Sequence, residues 1–142
     1  ITVPTSARTG NFTVSPPPVT APTAGNITAT YGDVIKSATF TVNPPVPVAL
    51  LSLSLNPKTV VGGSNSVGTV TLNKVTSSPV VVSLASSKPK NVMVPASVTV
   101  PAGASSAAFN ISTTTTNKKI NATISASYGG ATKSAPLTIV RR

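Results

Sequence analysis

The chain has 142 residues, a formal net charge of +10, one acidic residue (Asp33), and no histidine or cysteine. That inventory supplies no acid/base pair, thiol nucleophile, zinc site or calcium cage, each of which needs groups the chain lacks. The expectation is a protein that is not an enzyme and carries neither a metal nor a cofactor.

In chain order, residues 1–43 read as an incomplete unit of three or four strands with one open apolar face. Pro44-Pro45-Val46-Pro47 follows as a short, stiff spacer, because proline fixes φ and has no N–H. From residue 48 the alternation of apolar and polar positions predicts seven or eight short strands. Leu51, Leu53 and Leu55 fall on one face of the first, with Ser52 and Ser54 opposite. Val70 and Leu72 come next, then Val80, Val82 and Leu84. After these come Val92 with Val94, Val98 with Val100, and Phe109 with Ile111. The series ends with Ile120, Ala122, Ile124 and Ala126, then Ala135, Leu137 and Ile139. Asn56-Pro57, Gly62-Gly63, Ser78-Pro79, Pro101-Ala102-Gly103 and Gly129-Gly130 mark turns between them. No window reads as a capped amphipathic helix. The composition agrees: 19 Ser and 22 Thr join a Val/Ala/Leu/Ile-rich apolar set, a mixture that favours strands.

The two segments are related by an ungapped internal repeat. Ile1-Thr2-Val3-Pro4 matches Val98-Thr99-Val100-Pro101, and Phe12 matches Phe109. Ile27 to Gly32 matches Ile124 to Gly129, and Lys36-Ser37-Ala38 matches Lys133-Ser134-Ala135. The offset is 97 throughout (98 − 1), and 14 of the 43 aligned positions are identical. Residues 1–43 are therefore the back half of one repeat, and residues 48–140 are one complete repeat. A period of 97 suits an antiparallel β-sandwich of immunoglobulin size, which takes ~100 residues. The expected fold is all-β: tandem Ig-like antiparallel sandwiches, one partial (1–43) and one complete (48–140), joined by 44–47.

Several stretches resemble bacterial Ig-like tandem repeats of secreted and cell-surface proteins. Leu53-Ser54-Leu55-Asn56-Pro57, Val60-Val61-Gly62-Gly63 and Val67 to Leu72 are similar to the opening strands of such a repeat. Val92 to Ala104 is similar to its middle, and Ile124 to Gly130 with Leu137-Thr138-Ile139 to its close. The resemblance implies an extracellular or cell-surface location, a structural or adhesive role and no catalysis. The expected function is a structural repeat unit of an extracellular filament or surface fibre. Assembly would be head to tail, with residues 1–43 completed by upstream sequence or by strands of another subunit. The alternative is an adhesin stalk, or a carbohydrate- or cell-wall-binding module of a larger secreted protein.

Particular residues invite comment. Asn11, Asn26, Asn110 and Asn121 head Asn-x-Ser/Thr sequons and are the candidate N-glycosylation sites. Tyr31 and Tyr128, Phe12 and Phe109, and Gly32 and Gly129 are repeat-equivalent pairs to which structural roles are assigned. Eleven basic residues lie scattered along the sequence, with no basic stripe interleaved with aromatics. Nucleic acid is therefore not an expected partner. No apolar run approaches the ~20 residues of a membrane helix, so helical membrane insertion is not expected. The expected partners are further copies of the chain or neighbouring repeats, with contact to an anionic cell wall or polysaccharide as the open alternative.

Overall fold

A computed structural model describes residues 1–142, with eleven strands and no helix. The chain divides into two compact units, Ile1–Pro47 and Val48–Arg142.

The first unit contains one antiparallel hairpin, β1 (Thr23–Tyr31) with β2 (Val34–Val42), paired from Thr23↔Val42 to Tyr31↔Val34. The second is a two-layer sandwich. Its strands are β3 (Leu50–Asn56), β4 (Thr59–Val61), β5 (Ser66–Leu72), β6 (Val80–Ser86), β7 (Val92–Met93), β8 (Ser97–Val100), β9 (Ser106–Thr113), β10 (Ile120–Tyr128) and β11 (Ala131–Val140). One sheet has the order β3-β5-β9-β7, the other β4-β11-β10-β6-β8. All pairings are antiparallel except β4 with β11. The fold is therefore an all-β sandwich.

Inward positions follow the two-residue period of a strand. Val70, Leu72, Phe109 and Ile111 from one sheet meet Val82, Val100, Ile124, Leu137 and Ile139 from the other in a single buried cluster. The three buried polar side chains are all satisfied. Ser66 donates its hydroxyl to the Pro57 carbonyl (2.7 Å). Thr113 donates to the Ser64 carbonyl (2.6 Å) and accepts from the Gly63 N–H (3.2 Å). Thr76 reaches the Ala104 carbonyl (3.4 Å). No buried side-chain nitrogen or oxygen lacks a partner.

The structure corrects the alternation in two places. Leu51 does not share the face of Leu55. The pairing of β3 with β5 shifts between Leu50 and Ser52, so Leu51 is a bulge residue. Leu50 is buried in its place (4% exposed) and Leu51 turns to solvent (56%). The strand count of this unit is nine, with β4 as the addition. Pro57 cannot extend the β3 ladder, and the chain crosses to the other sheet, where Val60 is buried beside Ile139.

In β5, Gly68 lies opposite Phe109, whose ring lies over it. A Cβ at Gly68 would collide with the ring, meeting Phe109 Cζ and lying 2.6 Å from both Cε atoms.

These positions give two stability predictions, both read from denaturant midpoints followed by circular dichroism. Leu50→Ala costs about 2–5 kcal/mol as a core truncation, whereas Leu51→Ala stays within about 0.5 kcal/mol. Equal costs would contradict the bulge. Gly68→Ala costs about 1–3 kcal/mol by overpacking, and adding Phe109→Leu returns part of that loss.

Candidate functional site

The feature that sets this chain apart is the first unit, whose inner face is uncovered. Its hairpin reproduces another part of the molecule. Each of the nine residue pairs of β1–β2 has its counterpart 97 residues on in β10–β11, from Ile120↔Ile139 to Tyr128↔Ala131. The turns also correspond. Gly32 and Gly129 have φ of 56° and 57°, the left-handed region open to glycine. The following residue differs: Gly130 is again at positive φ (80°), while Asp33 is not. A smaller turn is repeated as well. The Ala7 N–H donates to the Pro4 carbonyl (2.9 Å), as the Ala104 N–H does to the Pro101 carbonyl (3.1 Å).

Only local pairings are repeated. The expected three or four strands of residues 1–43 are two, and the reason is the location of the partners. β8 pairs with β6, and β9 pairs with β5 and β7. Those three partners all lie within residues 48–97, and the first unit has no counterpart to them. Residues 1–3 and 9–16, the equivalents of β8 and β9, consequently form no strand. β10 and β11 pair with each other, so their equivalents survive as a hairpin.

The same deficit strips the first unit of its core. Phe109 is 6% exposed and Phe12 is 60%. Val100 and Ile111 are buried, whereas Val3 and Val14 are exposed. Tyr128 packs against the core cluster, whereas Tyr31 is 91% exposed. Ile27 and Phe40 keep partial cover. The Phe40 ring lies over Gly25 across the hairpin, a local pairing of aromatic and glycine like that of Phe109 over Gly68. Ile1, Val3, Pro4, Tyr31, Val34 and Lys36 line an apolar cleft of about 640 Å³. It holds no set of convergent polar groups that would fix a small ligand.

The four sequon asparagines are all exposed. Asn110 and Asn121 point outward from β9 and β10, opposite the inward side chains of Phe109, Ile111 and Ala122. Asn121 also accepts a hydrogen bond from the Thr138 hydroxyl (3.3 Å). Asn26 lies on β1 and Asn11 in the strandless stretch. The asparagines are spread over the molecule and form no cluster.

One grouping escapes a linear reading. Lysines that look scattered in sequence are drawn to one end of the sandwich, since β6, β9 and β11, the strands that precede their segments, all run toward it.

No family model and no curated protein matches the sequence. Among solved structures, domains 4 and 5 of the S-layer protein SbsC are similar, with a TM-score of 0.57 and 22% identity. The match covers 84% of this chain and 58% of that one. Two longer SbsC structures, one of domains 1–6, each match with a TM-score of 0.58 and 21% identity. They cover 84% and 85% of this chain and 17% of their own lengths. This chain thus spans less than two thirds of each of these structures. At such identities the likeness establishes the β-rich fold.

Hydrogen exchange should separate the two halves of the repeat pattern. Amides of residues 106–113 should be strongly protected. Those of 9–16 should exchange near the unstructured rate, and those of 23–42 should fall between, since an isolated hairpin is marginal in water. Equal protection at 9–16 and 106–113 would contradict the strandless assignment.

Proposed function

We propose that this chain is a non-enzymatic structural module of an extracellular, cell-surface array built by repetition of a 97-residue Ig-like sandwich. In this reading the back half at residues 1–43 is completed by a front half of the 48–97 type, carried by an adjoining repeat or a neighbouring subunit. Successive modules are then joined head to tail by shared strands into a fibre or layer. That the similar structures belong to an S-layer protein supports a surface role.

The observation that carries this reading is the identical register of β1–β2 and β10–β11 combined with opposite burial. In the complete repeat, the outer edge of β10 is taken by β6, and that of β11 by β4. In the hairpin both outer edges end the sheet. A strand of the Val80–Ser86 type fits along β1, and one of the Thr59–Val61 type along β2. The occupant must be an additional front half, because residues 48–97 of this chain already cover 98–140. Residues 1–142 of a second copy offer no vacant front half, so the front half comes from sequence adjoining those residues, in the same subunit or in a neighbouring one. Completion is strongly favourable on hydrophobic grounds, at about 1.5–3 kcal/mol for each large side chain moved from water into a core.

The test is to fuse a second copy of residues 48–97 ahead of Ile1, leaving the whole chain in place. Amides of 9–16 should then gain protection comparable to 106–113. Phe12→Ala should cost about 3–5 kcal/mol in the fusion and little in the unfused chain. Exchange at 9–16 that stays near the unstructured rate in the fusion would overturn the proposal.

A further inference from the structure

Residues 48–142 hold seven lysines, two arginines and no acidic residue. Their distribution in the fold is lopsided. β6 ends at Ser86 opposite Ile124 of β10, and β10 begins at Ile120 opposite Ile139, near the end of β11. β9 finishes at Thr113, opposite Val92 at the start of β7. The β6–β7 loop, the β9–β10 loop and the segment after β11 therefore meet at one end of the sandwich. They bring Lys88, Lys90, Lys118, Lys119, Arg141 and Arg142, all exposed. The opposite end, where Ala49 is tied to Asn73, has Lys74 and Lys133, and the ninth cation, Lys58, lies beside β11, where its carbonyl accepts from the Thr138 N–H (2.9 Å).

The segments are fastened to one another. Lys88 offers its carbonyl to the N–H groups of Asn91 (2.9 Å) and Val92 (2.8 Å). The Thr114 N–H donates to the Asn91 carbonyl (3.0 Å), and the Asn91 amide donates to the Thr114 hydroxyl (3.3 Å). The Thr116 hydroxyl accepts from the Lys118 N–H (3.1 Å) and donates to its carbonyl (3.0 Å). The Arg142 N–H donates to the Thr116 carbonyl (3.2 Å). The cations thus stand on a tied platform, which lowers the ordering cost of binding.

We infer that this end of the sandwich is a docking surface for an anionic polysaccharide. A dense patch of one sign with no compensating acid draws anions, and the repeated charges of a polymer engage several cations at once. A second copy of the chain cannot fill this role, since each copy has one acidic side chain, Asp33. Between the cations lie Ser87, Asn91, Thr114, Thr115 and Asn117, which exchange hydrogen bonds with sugar hydroxyls. No aromatic residue lies in these segments to stack on bases. Apart from Pro89 they offer no apolar side chain to anchor in a bilayer.

Polygalacturonate is the test probe, with duplex DNA and phosphatidylglycerol vesicles as rival anions. Two triple variants of equal charge are compared, each lowering the net charge from +10 to +7 (10 − 3). Lys88→Ser/Lys118→Ser/Lys119→Ser should weaken polygalacturonate binding about tenfold, with the midpoint of unfolding unchanged or raised by relief of like-charge repulsion. Arg8→Ser/Lys74→Ser/Lys133→Ser should weaken it less than about twofold. In amide spectra, polygalacturonate should shift residues 87–91, 114–119 and 141–142. Equal losses in the two variants, or no detectable binding at low ionic strength, would overturn the inference. Tighter binding to DNA or vesicles than to polygalacturonate would overturn the assignment to polysaccharide.

Discussion

The structure depends on strand pairing between the two halves of one sandwich. Of the back-half strands, β10 and β11 are neighbours in sequence and supply each other's hydrogen bonds. β8 and β9 take theirs from β5, β6 and β7, all in the front half. A backbone segment without such a partner leaves its N–H and C=O groups to water, and an isolated strand does not persist. Residues 1–22 show the consequence. They carry the pattern Ile1-Thr2-Val3-Pro4 and the aromatic Phe12 of their repeat, yet they form no strand. The sequence pattern is necessary for these strands, but long-range pairing decides whether they form.

The second constraint is the near absence of ion pairs. With one acidic side chain in 142 residues, charge attraction cannot hold this fold together. Cohesion comes from the apolar cluster and from hydroxyl groups that close backbone gaps where the sheets meet. Ser66 ties β5 back to Pro57, and Thr113 ties the end of β9 to the Gly63–Ser64 turn. Edge strands are kept harmless by being short, as in β4 and β7, or bulged, as in β3. The free edges of the β1–β2 hairpin, each nine residues long, have neither protection.

What the sequence made legible followed from periodicities. The 97-residue offset gave the organisation, and the alternation of Val80, Val82 and Leu84, or of Ala135, Leu137 and Ile139, gave the buried faces. What it concealed depended on contacts between distant segments. The bulge at Leu51 is set by pairing with β5 and leaves no mark in the run Leu50-Leu51-Ser52-Leu53. β4 is three residues long and is stabilised by β11, about eighty positions away, so no local signal announces it. The basic end is hidden because Lys88, Lys118 and Arg141 are separated in sequence by whole strands, and only the direction of those strands puts them together.

These constraints divide the work of the molecule's surfaces. A chain with a charge of +10 and one acidic residue repels copies of itself, so repeats cannot cohere through complementary charge. In the proposed assembly, contact between repeats rests instead on backbone pairing and apolar burial, the two resources that the first unit leaves unused. Neither relies on charge, so screening does not weaken them, whereas the inferred attraction of the basic end for a polymer weakens as the Debye length falls. On the two proposals together, cohesion and attachment respond to different conditions: a rise in ionic strength loosens the inferred grip on an anionic polymer before it loosens the sandwich.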